Sequence, residues 1–543
     1  MVQPHRRARL PRYSKCLAVL AGAALLLSVA QHAQSVAPAQ QSALTPQEQR
    51  GKQIYVLGTS ASGQAILAYL GDESLEVDGS TLACANCHGW DGQGKPEGGV
   101  TPSNIAWAAL TKPYGVTHPN GRSHPAYTER AFELALTRGL DPAGNRLLNV
   151  MPRYQMSRAD MADLIAYVKR LGTDRDPGIT DDSIRIGTVV PTRGALAEMG
   201  QAVKATLSAY FDELNSQGGI YNRRVELKFA ETGETPAGTR ANVEQLLRAE
   251  QVFALTGAIT AGADQELFTL AAERAVPLVG PLTFYPAPGA PLNRQVFYLL
   301  SGWDAQARVL VNFAVQQTAA DKTSVTIVSP GSAAARGVAE VIKDQFRKDG
   351  RRAPDTYEYA PAAYDATALA RKLSETEQSA VFFLGSGAEA LALTEAAEKL
   401  HWSPQLYLPS AVVGQEILAA PASFDHKIFL AFPTSPAAQT PQGVQAFRAF
   451  AAKHQLPAHH LAAQLSAYAA AAVLAEGLKR GGRDLSREKL IAALEGFYEF
   501  ETGVTPALTY NPNRRIGALG AYIVSLDLNK KQFVPASGWL NAN

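Results

Sequence analysis

Short apolar runs alternate with longer amphipathic stretches from residue 183 to the C-terminus. The runs are typical of buried strands, and the longer stretches repeat their apolar residues with the period of a helix. This alternation predicts parallel sheets covered by helices on both faces, and the length of the region predicts two such lobes. The predicted strands are 184–190, 225–230, 252–256, 276–279, 296–300, 324–329, 356–359, 380–384 and 405–408, and the predicted helices include 201–215, 241–250, 264–274 and 366–373.

A helical period also marks the end of the N-terminal third of the chain. Apolar residues recur every three or four positions over 157–171, and Ser157 is placed to cap that helix. The polar segment that follows contains Pro and Gly and is typical of a linker. We therefore predict one domain over 46–172, a linker over 173–182 and the α/β domain over 183–543.

The first 33 residues have the pattern of a secretory signal peptide. Basic residues without an acid precede an apolar run at 17–30, and small residues near Ala33 suit a cleavage site. The apolar run is too short to cross a bilayer, although an uncleaved anchor stays an alternative. We expect a signal peptide over 1–33 and a mature protein that is exported to the periplasm.

Composition limits the possible classes of protein. Hydrophobic residues make up 46% and charged residues 18% of the chain, which is the range of folded globular proteins. The formal net charge of +2 becomes slightly negative once the basic leader is removed. After residue 50 there is no basic run and no interleaving of basic with aromatic residues, so nucleic acid is not an expected partner.

Two cysteines carry the most specific signal. Of three cysteines, Cys16 lies in the leader, and Cys84 and Cys87 belong to a C-A-N-C-H segment that ends at His88. This spacing is the signature of c-type haem attachment, because the two thiols can add to the haem vinyl groups and the next imidazole can bind the iron. A zinc site of four thiolates lacks two cysteines, and a redox dithiol lacks a thioredoxin-like context. We predict one covalently bound haem c.

The second axial ligand of the iron has to come from downstream. Met161 belongs to the apolar face of the helix over 157–171, so we expect it in the core. Met151 lies in a loop before that helix and is followed by proline. A methionine–histidine pair raises the reduction potential and suits electron transfer. We expect Met151 as the ligand, while Met156, His118 and His124 stay open as alternatives.

These motifs resemble a class I cytochrome c. The likeness covers 46–172 and rests on the G-K-Q-I-Y helix at 51–55, the C-A-N-C-H-G segment, and the Met-Pro step before a terminal helix. It implies an all-α domain with His88 as the proximal and Met151 as the distal ligand, and a first helix packed across the last one. Two departures are an insertion between the first helix and the haem motif, and a loop rich in His, Pro and Gly at 114–127.

The α/β region resembles the type I periplasmic solute-binding proteins, in the branch of the branched-chain amino acid receptors of ABC importers. The likeness rests on I-R-I-G-T-V-V-P at 184–191, N-S-Q-G-G-I at 215–220, V-G-P at 279–281 and Y-D at 364–365. It implies that the all-α cytochrome domain is followed by a two-lobed α/β fold with a small-molecule ligand between the lobes.

In such folds the ligand lies at the carboxyl ends of the strands. By our alignment, the acidic residue that holds an amino acid's ammonium group falls at or near Ser410, and the serine-rich carboxylate loop reads Gly262-Ala263. A buried ammonium without a partner is costly, so we expect a neutral or carboxylated small molecule. The cleft residues that we predict are Thr260, Thr283, Tyr285, Trp303, Tyr364 and Ser410.

The leading hypothesis is a periplasmic electron carrier fused to a small-molecule-binding module that senses a ligand or docks a redox partner, either a dehydrogenase or an oxidase. A receptor for an ABC permease with a tethered haem, and an electron-accepting subunit of a dehydrogenase system, are the alternatives. No catalytic arrangement is recognisable in the sequence. His459-His460, with His454 nearby, is interpreted as a solvent-exposed segment that leads into a helix. Five basic residues are candidates to surround the haem edge and steer an acidic partner, with ordinary solvated charges as the alternative for each. They are Lys95, Lys112, Arg122, Arg146 and Arg153.

Overall fold

The computed structural model describes residues 1, 44–71, 75–94, 99–286, 291–317, 324–410, 414–434 and 440–542. Contacts divide the chain into two units, Met1–Asp174 and Arg175–Asn543. Apart from Met1, the predicted signal peptide over 1–33 lies outside the described residues, as does Lys95.

The described part of the first unit is built on five helices. They are α1 (Pro46–Leu57), α2 (Cys84–His88), α3 (Trp107–Leu110), α4 (Glu129–Arg138) and α5 (Arg158–Val168). Helix α1 begins with a capping box between Thr45 and Glu48. Helix α5 begins where the sequence predicts, because the Ser157 hydroxyl accepts a hydrogen bond from the Asp160 amide.

Helices α1 and α5 pack so closely that one position of α1 has to be glycine. A Cβ atom on Gly51 would lie 1.9 Å from the carbonyl oxygen of Asp163. Beside this crossing, the Arg50 guanidinium pairs with the Asp163 carboxylate at 2.6 and 3.0 Å. The predicted packing of the first helix across the last one is confirmed.

The insertions noted in the sequence add two small antiparallel sheets to the helical frame. Strands β1 (Leu67–Leu70), β2 (Leu75–Asp78) and β5 (Arg153–Gln155) form one of them in the order β2-β1-β5. Strands β3 (Val116–Thr117) and β4 (Ser123–His124) form the other. The first sheet places β5, the strand that follows Met151, beside β1, which lies between α1 and the haem motif.

The second unit contains two larger sheets, which we call lobe one and lobe two. Lobe one has the strand order β16-β10-β9-β8-β6-β7 and is parallel throughout. Lobe two has the order β12-β11-β13-β14-β15-β17-β18, in which only β17 and β18 are antiparallel to their neighbours. The strands are β6 (Ser183–Val190), β7 (Arg224–Glu231), β8 (Ala254–Thr256), β9 (Leu278–Val279), β10 (Val296–Leu300), β11 (Val325–Pro330), β12 (Asp355–Tyr359), β13 (Ala380–Phe383), β14 (Gln405–Pro409), β15 (Ile428–Phe432), β16 (Ile516–Ala518), β17 (Gly520–Asp527) and β18 (Gln532–Asn541).

Helices connect these parallel strands, as the alternating pattern predicts. They are α6 (Ala197–Ser216), α7 (Pro236–Ala249), α8 (Asp264–Glu273), α9 (Trp303–Gln317), α10 (Ala333–Lys348), α11 (Ala366–Glu375), α12 (Gly387–Glu398), α13 (Pro441–Lys453), α14 (Leu461–Arg480) and α15 (Arg487–Glu495). The parallel two-lobed α/β prediction is confirmed, and it puts the carboxyl ends of the parallel strands of each lobe at one edge of its sheet.

Helix α14 is long and apolar enough to cross a membrane by composition, and it is the one described helix that is. However, 56% of its apolar window is buried, and Ala467, Ala470 and Leu474 are fully buried in the core of lobe one. The apolar residues of α14 therefore belong to the core of lobe one.

The segment predicted as a linker is divided between the two units. Lys52 pairs with Asp174 at 2.7 Å in the first unit. In the second unit, the Asp176 carboxylate accepts a hydrogen bond of 2.6 Å from the Arg487 amide, and Ile179 forms a bridge with Ile184. The predicted linker is therefore held by contacts, its start in the first unit and its later part in the second.

Candidate haem-binding site and ligand cleft

The haem motif forms a helix of its own. Cys84 and Cys87 lie three residues apart on α2, which places both thiols on one face. Both are free cysteines, Cys84 partly buried and Cys87 exposed. Burial raises the pKa of the Cys84 thiol to about 12. A redox or zinc-binding cysteine needs the opposite shift, so the Cys84 thiol is poorly suited to those two roles.

His88 presents one ring nitrogen to the site. The side chain is buried, and its Nδ1 lies 2.9 Å from the carbonyl oxygen of Ser103. Because Nδ1–H donates to that carbonyl, Nε2 is left free to bind a metal. Burial lowers the pKa of His88, which favours the neutral imidazole that an iron ligand has to be.

Two buried tyrosines fix the ends of the haem motif. The Tyr55 hydroxyl on α1 donates to the carbonyl of Gly89 at 2.7 Å. The Tyr154 hydroxyl on β5 donates to the carbonyl of Leu82 at 2.6 Å. Tyr154 is three residues after Met151, so this bond ties the Met151 segment to the residues just before Cys84. The sequence analysis missed Tyr154, since nothing local marks a hydroxyl that bonds 72 residues away.

The Met151 loop is held by a guanidinium group. Arg153 donates hydrogen bonds to the carbonyl oxygens of Met151, of Pro152 at 3.4 Å and of Leu147 at 3.3 Å. It lies on Gly139, where a Cβ atom would be 1.9 Å from the Arg153 Nε. Burial lowers the pKa of Arg153. The guanidinium loses hydrogen bonds to water in this position, and its hydrogen bonds to the carbonyl oxygens compensate for that loss.

Three methionines pack against the apolar cluster that Cys84 also contacts. Met161 is buried in this cluster, as predicted, with 7% exposure. Met151 and Met156 are partly buried against it. Both therefore stay within reach of the haem motif, and Met151 remains our prediction for the distal ligand.

The two histidines considered as alternatives bond to each other instead. His118 and His124 are joined through their Nε2 atoms at 3.0 Å. His118 Nδ1 lies 3.4 Å from the Ser103 hydroxyl, and His124 Nδ1 lies 2.8 Å from the Pro125 carbonyl. Ser103 also takes part in fixing His88, because its carbonyl oxygen accepts the His88 Nδ1 hydrogen bond. Both imidazoles thus have protein partners, and Met151 remains our prediction for the distal ligand.

The expected ring of basic residues is wrong for two members. Arg122 is mostly buried and pairs with the buried Asp141 carboxylate at 2.7 Å. Arg153 is turned into the Met151 loop. Both guanidinium groups are thus occupied inside the unit, whereas Lys112 and Arg146 are exposed.

This donor set fits haem c. It offers two thiols on one helical face, an imidazole with Nδ1 occupied and Nε2 free, and a thioether in a restrained loop. When bound, haem c supplies a one-electron Fe(II)/Fe(III) couple. The chain's own residues fix the orientation of His88 and keep the region around it apolar.

Four of the predicted cleft residues lie close together. Thr260, Thr283 and Tyr285 follow strands of lobe one, and Trp303 begins α9, which packs in the core of lobe two. The Thr283 hydroxyl donates to the Asp264 carboxylate and accepts from the Tyr285 amide at 2.9 Å. The rings of Tyr285 and Trp303 are 5.2 Å apart. The buried Thr260 is next to them, with both its amide and its hydroxyl 3.3 Å from the Leu282 carbonyl. The two threonine hydroxyls are therefore engaged by protein, and Tyr285 is the exposed member, at 42%.

The other two predicted residues have different surroundings. The Ser410 amide lies 3.1 Å from the side-chain oxygen of Gln306, one turn along α9 from Trp303. The Tyr364 hydroxyl donates to the Glu389 carbonyl at 2.8 Å, and its ring packs on Tyr359 at 4.7 Å. In the described residues no contact joins Tyr364 to the Tyr285–Trp303 pair.

An acidic residue beside this pair was not singled out from the sequence. Asp304 is the second residue of α9, directly after Trp303, and its side chain is exposed to solvent. Desolvation by the surrounding protein nevertheless raises the pKa of Asp304. The signal was available in the sequence, since an acid in the first turn of a helix after a parallel strand faces the cleft edge.

We expect Asp304→Asn to raise the melting temperature at pH 7. The raised pKa means that the folded state disfavours the carboxylate. That penalty is present when the group is ionised in both states, and it disappears as the pH falls below the ordinary carboxyl pKa of about 4. Thermal melts at pH 7 and pH 3.5 should therefore show a gain at the higher pH alone, with the exposed Asp212→Asn as the control. An equal change at both pH values would contradict the assignment.

Comparison with known proteins identifies both units. A family model described as "Cytochrome c" matches residues 77–172. A second model, described as "Periplasmic binding protein", matches residues 183–532, more than half of the chain. The chain belongs to the periplasmic binding protein family. It is a member that carries a cytochrome c domain ahead of the binding-protein fold, and a cytochrome c domain implies haem c.

Curated relatives of this periplasmic binding protein match its second unit. The Leu/Ile/Val-binding protein homolog 3 of Brucella melitensis is 26% identical over 333 residues, which cover 60% of this chain and 87% of the relative. The Leu/Ile/Val-binding protein BraC3 of Rhizobium johnstonii is 27% identical over 327 residues, with coverages of 59% and 86%. Homologues of both domains are periplasmic or extracytoplasmic proteins.

Solved structures confirm the fold of the same unit. A fatty acid ABC transporter substrate-binding protein from Thermomonospora curvata matches with a TM-score of 0.54 at 16% identity, covering 68% of this chain and 95% of that one. A branched chain amino acid ABC transporter from Thermus thermophilus with bound valine also has a TM-score of 0.54 at 16% identity, with coverages of 67% and 97%. At these identities the likeness establishes the type I fold alone.

Proposed function

We propose that this protein is an exported electron carrier with a single haem c, joined to a module whose ligand controls docking or electron transfer. The haem is attached covalently through Cys84 and Cys87, with His88 and Met151 as the axial ligands. Residues 1–33 direct export and are removed near Ala33. The redox partner is a periplasmic dehydrogenase or oxidase.

The observation that carries this proposal is the geometry of His88. Its Nδ1 is committed to the Ser103 carbonyl, which leaves Nε2 for the iron, and both thiols of the motif are free on the same short helix. This arrangement supports haem binding by the motif, because the iron ligand and both attachment thiols are held ready on one helix. The presence of a nearly full-length binding protein on the same chain supports a role for a small molecule in that function.

A redox titration tests the coupling between the two modules. The holoprotein is titrated with and without pools of organic acids, aromatic compounds, amines and alcohols, while a thermal shift follows the binding lobes. If a ligand that stabilises the lobes also moves the haem potential, the modules are thermodynamically coupled. A ligand that stabilises the lobes without moving the potential would contradict the coupled function.

The second candidate function is that of an ABC-importer receptor with a tethered haem. The names of the relatives favour it, since those proteins are described as Leu/Ile/Val-binding proteins. This function requires tight binding in the cleft lined by Thr260, Thr283, Tyr285, Trp303 and Ser410, and a permease that accepts the loaded protein. The uncoupled outcome of the titration, together with uptake of the ligand that depends on a permease, would favour this candidate.

A further inference from the structure

We propose that Glu198, His459 and His460 form a binding site for one divalent transition-metal ion on lobe one. Each residue offers one ligand atom, and the three atoms lie within 4.8 Å of one another. Two come from consecutive residues before α14, and the third comes from the first turn of α6, 261 residues earlier in the chain. The haem and the cleft ligand take no part in this inference.

The ligand types select the class of ion. Two imidazoles with one carboxylate suit zinc and its first-row neighbours nickel and copper, and they are a poor match for calcium or magnesium, which prefer oxygen ligands alone. Zinc bonds of about 2.1 Å in a tetrahedron place neighbouring donor atoms about 3.4 Å apart. The donor atoms therefore have to approach one another by at most about 1.4 Å, which rotation of the side chains can supply.

The side chains are free to make that movement. The Glu198 side chain is 79% exposed, and its nearest charged partner is His460, with the Glu198 Oε2 and His460 Nε2 atoms 3.8 Å apart. The rings of His459 and His460 are 5.0 Å apart and nearly perpendicular. Among the described residues, neither imidazole makes a hydrogen bond to another part of the protein, and His460 does not cap α14 through its side chain.

The backbone beneath the histidines is fixed. Gln464 is buried, at 2% exposure, and its side-chain amide donates to the carbonyls of Pro457 and His459, each at 2.7 Å. His460 has a left-handed backbone with φ of 56°, a conformation that costs free energy for a residue other than glycine. The buried amide holds this conformation, so the two imidazoles are presented together beside Glu198.

His454, which the sequence places near the pair, belongs elsewhere. Its Nε2 lies 2.8 Å from the Glu213 carboxylate, and its ring packs on Phe450 at 4.8 Å. The third ligand is instead Glu198, which follows the loop at the carboxyl end of β6. A bound ion would thus lie on the cleft edge of lobe one, and three protein ligands leave a fourth position for water or an anion.

Isothermal titration of the untagged, chelator-treated holoprotein with Zn²⁺ alone tests the site. We expect one zinc per chain, with the dissociation constant raised at least about tenfold in His459→Ala and in Glu198→Gln. His401→Ala, an exposed histidine of lobe two, should bind zinc as the wild type does. Electron paramagnetic resonance of the Cu²⁺ form should show two nitrogen ligands in the wild type and one in His459→Ala.

Two results would overturn the site. One is zinc binding that is unchanged in both His459→Ala and Glu198→Gln, and the other is a wild-type titration without saturation. Thermal melts of each variant check folding, which exposed substitutions should leave intact. Because the readout is metal affinity, a negative result here leaves the proposed electron-transfer function untouched, and failure of that function leaves this site untouched.

Discussion

Replacing Cys84 and Cys87 together by serine is expected to give a protein with no covalently bound haem. The two thiols are the only sulfhydryl groups of the sequence outside the predicted signal peptide, and both are free on one face of α2. Without them, no thioether bond can form. Acid–acetone extraction followed by mass spectrometry measures the result, and the wild type should retain the mass of one haem.

The remaining cysteine provides the matched control. Cys16 lies within the predicted signal peptide, so Cys16→Ser should leave the haem content of the mature protein unchanged. Haem that resists extraction from the Cys84→Ser, Cys87→Ser variant would contradict covalent attachment through this motif. A wild-type mass that corresponds to two haems would contradict the count of one.

The sequence predicts most of the second unit because its buried strands are continuous apolar runs. Strand β6 was predicted over 184–190 and is observed as Ser183–Val190, and β10 was predicted over 296–300 and is observed with the same bounds. The last four strands, β15 to β18, were not predicted, although β15 and β17 are largely buried. For β18 (Gln532–Asn541) the reason is physical. It lies at the edge of its sheet, contains Pro535 and has no fully buried position, so the apolar signal of a central strand is absent.

The haem motif was predictable for a different reason, since its spacing encodes chemistry within five consecutive residues. The surroundings of the site were not predictable in this way. His118 and His124 bond to each other and to Ser103, and Arg122 pairs with Asp141, through contacts that only the fold creates. A charged or ligating residue near a site in sequence is therefore weak evidence for its role until its partners are known.

Arg153 shows the same limit and leads to the second large prediction. The sequence suggested a surface charge, but the guanidinium bonds to three carbonyl oxygens of the Met151 loop. We treat Arg153 as a positioning residue for Met151, a role that depends on Met151 being the distal ligand. Loss of these bonds removes about 2 kcal/mol, or about 30-fold, from the equilibrium that favours the Met151-bound geometry.

We therefore expect Arg153→Leu to weaken the near-infrared sulfur-to-iron band and lower the haem potential. Arg153→Lys, which keeps the charge but offers a single ammonium group, should restore part of both signals. The control is Arg146→Leu, an exposed arginine close by in sequence, which removes the same charge and should leave the sulfur-to-iron band unchanged. Met151→Ala separates the possible failures. Should that variant keep the band, the distal ligand is Met156 and the role of Arg153 falls with it. Should Met151→Ala lose the band while Arg153→Leu keeps it at full strength, Met151 is the ligand and its loop does not need the guanidinium.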